Sequence, residues 1–341
     1  MNNKKKFLWG IFSLLFCVGI GGLLLSGFTG SLPVAADRRE IPAADSPLPP
    51  AAGDIPRVFM TTDISPAALA RIYQALDRKL PGKVAVKLST GEPGGHHFLS
   101  PHLIKDLIQS VGGTIVESNT AYGGRRANTA MHKQVAMDHG FTAIAPVDIM
   151  DEDGSISLPV AAGKNIAENF VGAHFRNYDS FLVLSHFKGH AMGGFGGAIK
   201  NISIGIASSE GKSWIHSGGR SKTGIRGGQD AFLESMAEAA GSVMHHLGER
   251  ILYINVMNHL SIDCDCSSNP APPELDDIGI LASLDPVALD RACVDQIYRS
   301  DTRRSASLRQ RIESRNGRHT LDHAEALGLG SQRYELVTLH D

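Results

Sequence analysis

The sequence predicts an α/β fold, a mostly parallel sheet flanked by helices and preceded by one N-terminal transmembrane helix. Three observations predict it. Short apolar runs alternate with helical patterns from Val58 onward, as a parallel sheet covered on both faces requires. The 37 glycines and 6% aromatic content suit a loop-rich α/β chain better than a helical bundle. Lys4, Lys5 and Lys6 stand directly before Phe7 to Phe28, a run without charge.

That run is long enough for a helix of roughly 33 Å, enough to cross a bilayer. The lysines form a basic stub at 1–6 and place that end in the cytoplasm, so the remainder of a single-pass cell-membrane protein lies outside. A secreted protein is the competing expectation, because Val34-Ala35-Ala36 resembles a signal-cleavage site; the apolar length favours an uncleaved anchor over 7–28. Residues 29–56 are rich in Pro and Ala, lack an apolar period and read as a tether. The globular domain then occupies 57–341.

Within it, Arg57 to Thr61 reads as a strand. Ser65-Pro66 opens a helix to about Leu80, with serine at the cap and proline at the first helical position. Val84 to Leu88 is a strand, and Ser100-Pro101 opens a helix that Gly112-Gly113 ends. A strand follows at Thr114 to Glu117, a helix at Asn128 to His139 and a strand at Ala143 to Met150. The second half repeats the theme, with strands at Phe181 to Leu184, Arg250 to Met257 and Gly279 to Ala282. Its helices are Gln229 to Leu247 and one opened by Asp285-Pro286 that runs to about Tyr298. Arg303, Arg304, Arg309 and Arg311 alternate with polar residues and read as a solvated helix face.

Open α/β sheets bind ligands beyond the carboxyl ends of their strands. Four polar, glycine-rich loops follow such ends, at 89–97, 119–126, 185–201 and 258–266, and are expected to converge on one cleft. The third is the densest in chemistry. Ser185 to Asn201 holds His186, His190, Lys188 and Lys200 with Gly189, Gly193, Gly194, Gly196 and Gly197. Glycine packs nothing and costs conformational entropy, so Gly193, Gly194, Gly196, Gly197 and Asn201 are candidates for close approach to a ligand.

Nucleotide motifs fail here. Ile199 occupies the place of the third glycine of a dinucleotide fingerprint after Gly194 and Gly196. Gly211-Lys212-Ser213 looks like the end of a phosphate loop, but Ile206 stands where its first glycine belongs. The net charge of −2 offers no field to hold nucleic acid. Lys188, Lys200, Lys212, Arg125 and Arg126 adjoin glycine-rich turns and suit a small carboxylate or phosphate ligand, with Lys212 the one best read as a surface lysine. Lys188 and Lys200 are the catalytic candidates, either being able to form a Schiff base if desolvated.

His186, His190 and His216, with Asp263, Cys264, Cys266 and Cys293, supply ligand types suited to zinc or iron. Cys17 lies in the expected membrane span, so three cysteines remain outside it. Cysteines separated by one residue rarely meet the geometry of a disulfide. A four-cysteine iron–sulfur cluster is not expected within one chain. The expectation is therefore a metal-binding or redox-type site acting on a small anion, or else a non-catalytic anion-binding module.

The segments His186 to His190 with Gly193 to Asn201, Gly211-Lys212, His216, Asp263 to Cys266, Asp277 to Ile280, Ser283 to Asp290 and Ala292-Cys293 resemble the domain of unknown function 362 family, whose members are often labelled iron–sulfur centre proteins. His319 and Gly328 to Gly330 extend the resemblance into the tail. Many relatives carry an inserted ferredoxin-like segment with four close cysteines. Here only a short Gly/Ser/Arg stretch separates His216 from Gln229. The resemblance thus implies a variant that keeps the glycine, histidine and lysine core and lacks the cluster insert.

Overall fold

A computed structural model describes residues 55–340. The basic stub, the expected membrane span and nearly all of the tether lie outside the described residues. Among those described, no helix is long and apolar enough to cross a membrane.

The first half runs β1 (Arg57–Thr61), α1 (Pro66–Ala75), β2 (Val84–Lys87), α2 (Pro101–Ser110), β3 (Thr114–Glu117), α3 (Thr129–Asp138) and β4 (Val147–Ile149). A hairpin, β5 (Ser155–Pro159) with β6 (Glu168–Gly172), precedes the long β7 (Ser180–His186). The glycine-rich segment forms a second small hairpin, β8 (Lys188–His190) with β9 (Gly194–Gly196). Then come α4 (Ala198–Ser203), α5 (Ser209–His216), α6 (Gln229–Leu247), β10 (Ile251–Met257), β11 (Gly279–Ser283) and α7 (Pro286–Arg299). The tail adds α8 (Ala306–Ser314), α9 (His319–Ala326) and β12 (Glu335–Thr338).

Eight strands form the main sheet in the order β12-β1-β11-β10-β7-β2-β3-β4. Both antiparallel pairings are made by β11, against β1 and β10; the others are parallel. Side-chain alternation divides the central strands between two cores. Phe181 and Val183 of β7 enter one core, together with Ile251 and Tyr253 of β10. Leu182, Leu184, Leu252 and Ile254 enter the other, under α1 and α2. Both faces being covered, these strands read as continuous apolar runs.

Helix starts follow local chemistry. The Ser65 hydroxyl accepts from the Ala68 N–H, Asn128 Oδ1 from Met131 N–H, and Asp285 Oδ1 from Val287 N–H and Ala288 N–H. Helix α1 stops at Ala75, short of Leu80, and Asp77 just beyond takes a left-handed φ of 46°. The strand expected from Ala143 is confined to Val147–Ile149, because a 3-10 turn takes Phe141–Ala143. The β5–β6 hairpin, α4, α5 and β12 were not legible as elements.

The parallel run β10-β7-β2-β3 puts four carboxyl ends side by side. Lys87, Glu117 and His186 are the last residues of their strands, and the Asn258–Cys266 loop follows the fourth.

Candidate functional site

The loops beyond those four ends enclose a cavity of about 360 Å³, the size of a small-molecule site. Ser89, Thr120, Arg126, Ser185, Lys200 and Cys266 line it, so all four loops contribute.

On one side, Asp265 holds a lysine and a histidine. Its Oδ1 pairs with Lys188 Nζ at 2.7 Å, and its Oδ2 lies 3.1 Å from His186 Nδ1. Burial pushes the Asp265 carboxyl up, but His186 and Lys188 outweigh that and hold it at about 2. His186 Nε2 lies 2.6 Å from the Asn258 carbonyl oxygen, so both its ring nitrogens are occupied. Lys188, for its part, already has its counter-charge in Asp265.

On the other side, ammonium groups lie without a paired carboxylate. Lys87 Nζ donates to Leu88 O at 2.6 Å and to Asn201 Oδ1 at 3.0 Å. Asn201 in turn donates to Lys87 O and Ser185 Oγ, which fixes it as a brace between β2 and β7. Lys212 is buried rather than on the surface: its Nζ donates to Ala207 O at 2.5 Å and to Ser118 O at 3.4 Å. Burial pulls Lys87 down to about 7, against the pull of Glu117. Burial likewise brings Lys200 and Lys212 to about 8, opposed by Asp265 and Asp151 respectively.

Glu117 anchors a further network. Its carboxylate meets Arg126 at 3.4 Å and His132 Nε2 at 2.8 Å and accepts from the Thr90 hydroxyl at 2.5 Å. Burial raises its pKa, yet Arg126 and His132 carry it far below the usual carboxylate range. Lys87, Glu117 and Arg126 were not among the site residues expected from sequence, apart from the general cation role given to Arg126. The available signal was a charged residue closing an apolar strand, as in Val84-Ala85-Val86-Lys87.

His190, Cys264 and Cys266 offer ligand atoms within 4.8 Å of one another, a group that can hold a metal ion. The two sulfurs are joined as a disulfide with Cα atoms 5.1 Å apart, within the usual span of roughly 4.4–6.8 Å. The sequence expectation against a pairing across one residue is corrected here. His190 Nδ1 accepts from Gly193 N–H at 2.8 Å and Met192 N–H at 3.3 Å. Those partners assign the ring proton to Nε2. The donor set therefore fits a zinc- or iron-type ion only with the disulfide open and a lone pair of the neutral imidazole turned to it.

His216 also lines the cavity, stacked on Phe232 with ring centroids 4.6 Å apart. Its Nδ1 donates to the Lys212 carbonyl oxygen at 2.6 Å, leaving the lone pair on Nε2. Burial lowers this imidazole to about 4, although the bond to Lys212 O opposes it.

Asp263 and Cys293 stand apart from this cluster. Asp263 turns to Arg311 at 3.3 Å and to the Ala271 N–H. Arg311 is thus an anchor for the loop, with Nη1 also donating to Ile262 O, rather than part of a solvated face. Cys293 is buried in the core, its Sγ 3.4 Å from Asn255 Nδ2, and burial raises its thiol well above the ordinary value. With Cys293 there, the described residues do not fit a four-cysteine cluster.

The glycines serve close packing as well as the cavity. A Cβ on Gly197 would stand 2.2 Å from Asp290 Oδ1, the carboxylate that accepts from Ala198 N–H and Ile199 N–H. A Cβ on Gly189 would collide with the Ile262 backbone. Gly196 and Gly197 border the cavity, whereas Gly194 packs against Ile312 and Gly317, and Gly193 against His190.

No curated protein matches the chain. Solved structures similar to it include the lactate racemase apoprotein from Thermoanaerobacterium thermosaccharolyticum, at 12% identity and TM-score 0.37, covering 58% of this chain and 50% of that one. A structural-genomics protein from Thermotoga maritima is similar at 12% identity and TM-score 0.39, covering 67% and 57%. The chain thus spans about half the length of the solved structures it matches. Residues 84–295 match the family described as "Domain of unknown function (DUF362)", more than half of the sequence, and the chain belongs to that family.

Proposed function

We propose that this protein is an enzyme acting on a small anionic molecule in the cavity, with Cys264 and Cys266 as its metal-binding or redox-type element. The observation that carries the reading is the charge of the lining. Lys87, Lys188, Lys200, Lys212 and Arg126 border one cavity, against the carboxylates of Glu117 and Asp265. Burying cations costs free energy unless a counter-charge arrives, and a bound carboxylate or phosphate supplies it.

The cysteines give that site two states. Joined, they are an electron-accepting disulfide beside the bound anion. Opened, they offer two thiolates next to His190, a set suited to zinc or iron. A bound ion would supply Lewis acidity there. The chain's own residues orient the anion, with Arg126 and the lysines fixing it against the floor of β2 and β3. The reading includes a membrane tether: the basic stub and the apolar run at 7–28 support an extracytoplasmic position for this chemistry.

A second reading rests on the disulfide itself. If it persists in the working protein no thiolate is available, and the cavity is a non-catalytic anion-binding module. Elemental analysis of the full chain, purified without chelators and with a thiol-free reductant, separates the two. About one zinc or iron per chain is expected, lost in Cys264→Ser. Metal well below that level in the reduced wild type overturns the metal reading.

A further inference from the structure

Four lysines line the cavity, and three are held in place by the protein. Lys87 bonds to Leu88 O and Asn201 Oδ1, Lys188 pairs with Asp265, and Lys212 bonds to Ala207 O and Ser118 O. Lys200 differs. Its Nζ has no hydrogen-bond or ion-pair partner among the described residues, and it borders the cavity from α4. The stem is fitted into place: a Cβ on Gly196 would lie 3.1 Å from Lys200 Cδ and 3.8 Å from Cε.

We propose that Lys200 is a nucleophilic amine that forms an imine with the carbonyl group of a small anionic ligand, a 2-oxo acid being the simplest member of the class. This rests on the reading of the cavity as an anion site. An ammonium that no carboxylate holds, half-buried in a cavity among other cations, loses its proton more readily and becomes a nucleophile. The value of about 8 for Lys200 leaves a usable fraction of free amine near neutral pH, with burial as the chief cause and Arg126 adding to it. Lys188 cannot serve, because its Nζ is already paired with Asp265 at 2.7 Å.

The chemistry balances without an oxidant. The Nζ lone pair forms a bond to the carbonyl carbon while the carbonyl π pair moves to oxygen. The nitrogen loses a proton and the oxygen gains one, giving a carbinolamine. The nitrogen lone pair then expels that oxygen, which takes one more proton and leaves as water, and a protonated imine remains. His216 Nε2, with its lone pair free, lines the same cavity as Lys200 and is suited to carry protons there. Arg126, Lys87 and Lys212 take the anionic end.

Borohydride trapping tests this. The full chain is incubated with pyruvate and sodium cyanoborohydride, then digested and mapped by mass spectrometry. One reduced pyruvate adduct on Lys200 is expected, absent from Lys200→Arg, with pyruvate still raising the thermal midpoint of that variant. An adduct on Lys87 or Lys212, or labelling spread over surface lysines, overturns the proposal. So does the absence of any adduct. If pyruvate stabilises the wild type but no adduct forms, the imine step alone fails and the anion site stands. If Lys200→Arg does not fold, the position of the adduct in the wild-type map decides the matter.

Discussion

Lys188 and Lys200 belong to the same glycine-rich segment and line the same cavity, yet their surroundings differ. Lys188, on β8, is locked to a buried carboxylate that also holds His186. Lys200, on α4, has no hydrogen-bond or ion-pair partner among the described residues. The first is a structural cation that fixes the Asp265 turn against β7. The second is a half-buried cation with no such partner among the described residues, and a bound anion would complete it. Pairing, not residue type or position in the motif, separates scaffold from working group.

The largest expected effect comes from breaking the paired side. Asp265→Ala leaves the buried ammonium of Lys188 beside His186 with no counter-charge, and should cost about 3–5 kcal/mol of stability. Urea denaturation of the variant against the wild type measures it. A loss under about 1 kcal/mol would show that the pair is solvated and that the contrast with Lys200 is false.

A smaller effect of opposite kind is expected at the unpaired side. Lys200→Met removes a half-buried charge that forms no bond among the described residues, so stability should stay equal or rise. Affinity for pyruvate or phosphate should fall by about tenfold or more, since a hydrogen bond to a charged group is worth roughly 1.5–3 kcal/mol. Titration calorimetry on the same preparation reads both outcomes. A destabilised variant with unchanged anion affinity would reverse the two assignments.

Why was one side of this contrast legible beforehand and the other not? The strand and helix order, the four converging loops and the importance of 185–201 follow from local pattern: apolar period, serine or proline at helix starts, glycine density. Partner choice does not. Asp263 and Asp265 flank Cys264 identically in sequence, but one meets Arg311 from α8 and the other meets Lys188 and His186. Lys212 looked like a surface lysine because its neighbours Gly211 and Ser213 are small and polar. It is buried because α5 packs against β6, a hairpin strand whose place in space no local signal announces. The disulfide was missed for a similar reason, since the turn that brings the two Cα atoms to 5.1 Å is set by loop contacts.

The smallest expected effect is a pH dependence, and it sharpens the contrast by sign. Lys87 sits at about 7 and Lys200 and Lys212 at about 8 in the folded protein, below the ordinary lysine value of about 10.4. Between these limits the unfolded chain binds more protons than the folded one, so stability rises with pH. Cys293 works the other way above about pH 8.5, because its thiol, raised by burial, stays protonated only in the fold. Asp265, held at about 2 in the fold, has delivered its full contribution by pH 7 and adds no slope. The thermal midpoint of the full chain should therefore climb between pH 7 and 8.5, and saturating phosphate should flatten the climb by keeping the lysines charged in the folded state. Lys87→Met should also reduce the slope, whereas a midpoint that is level or falls across this window would mean that the three lysines keep ordinary values and that the cavity is open to water.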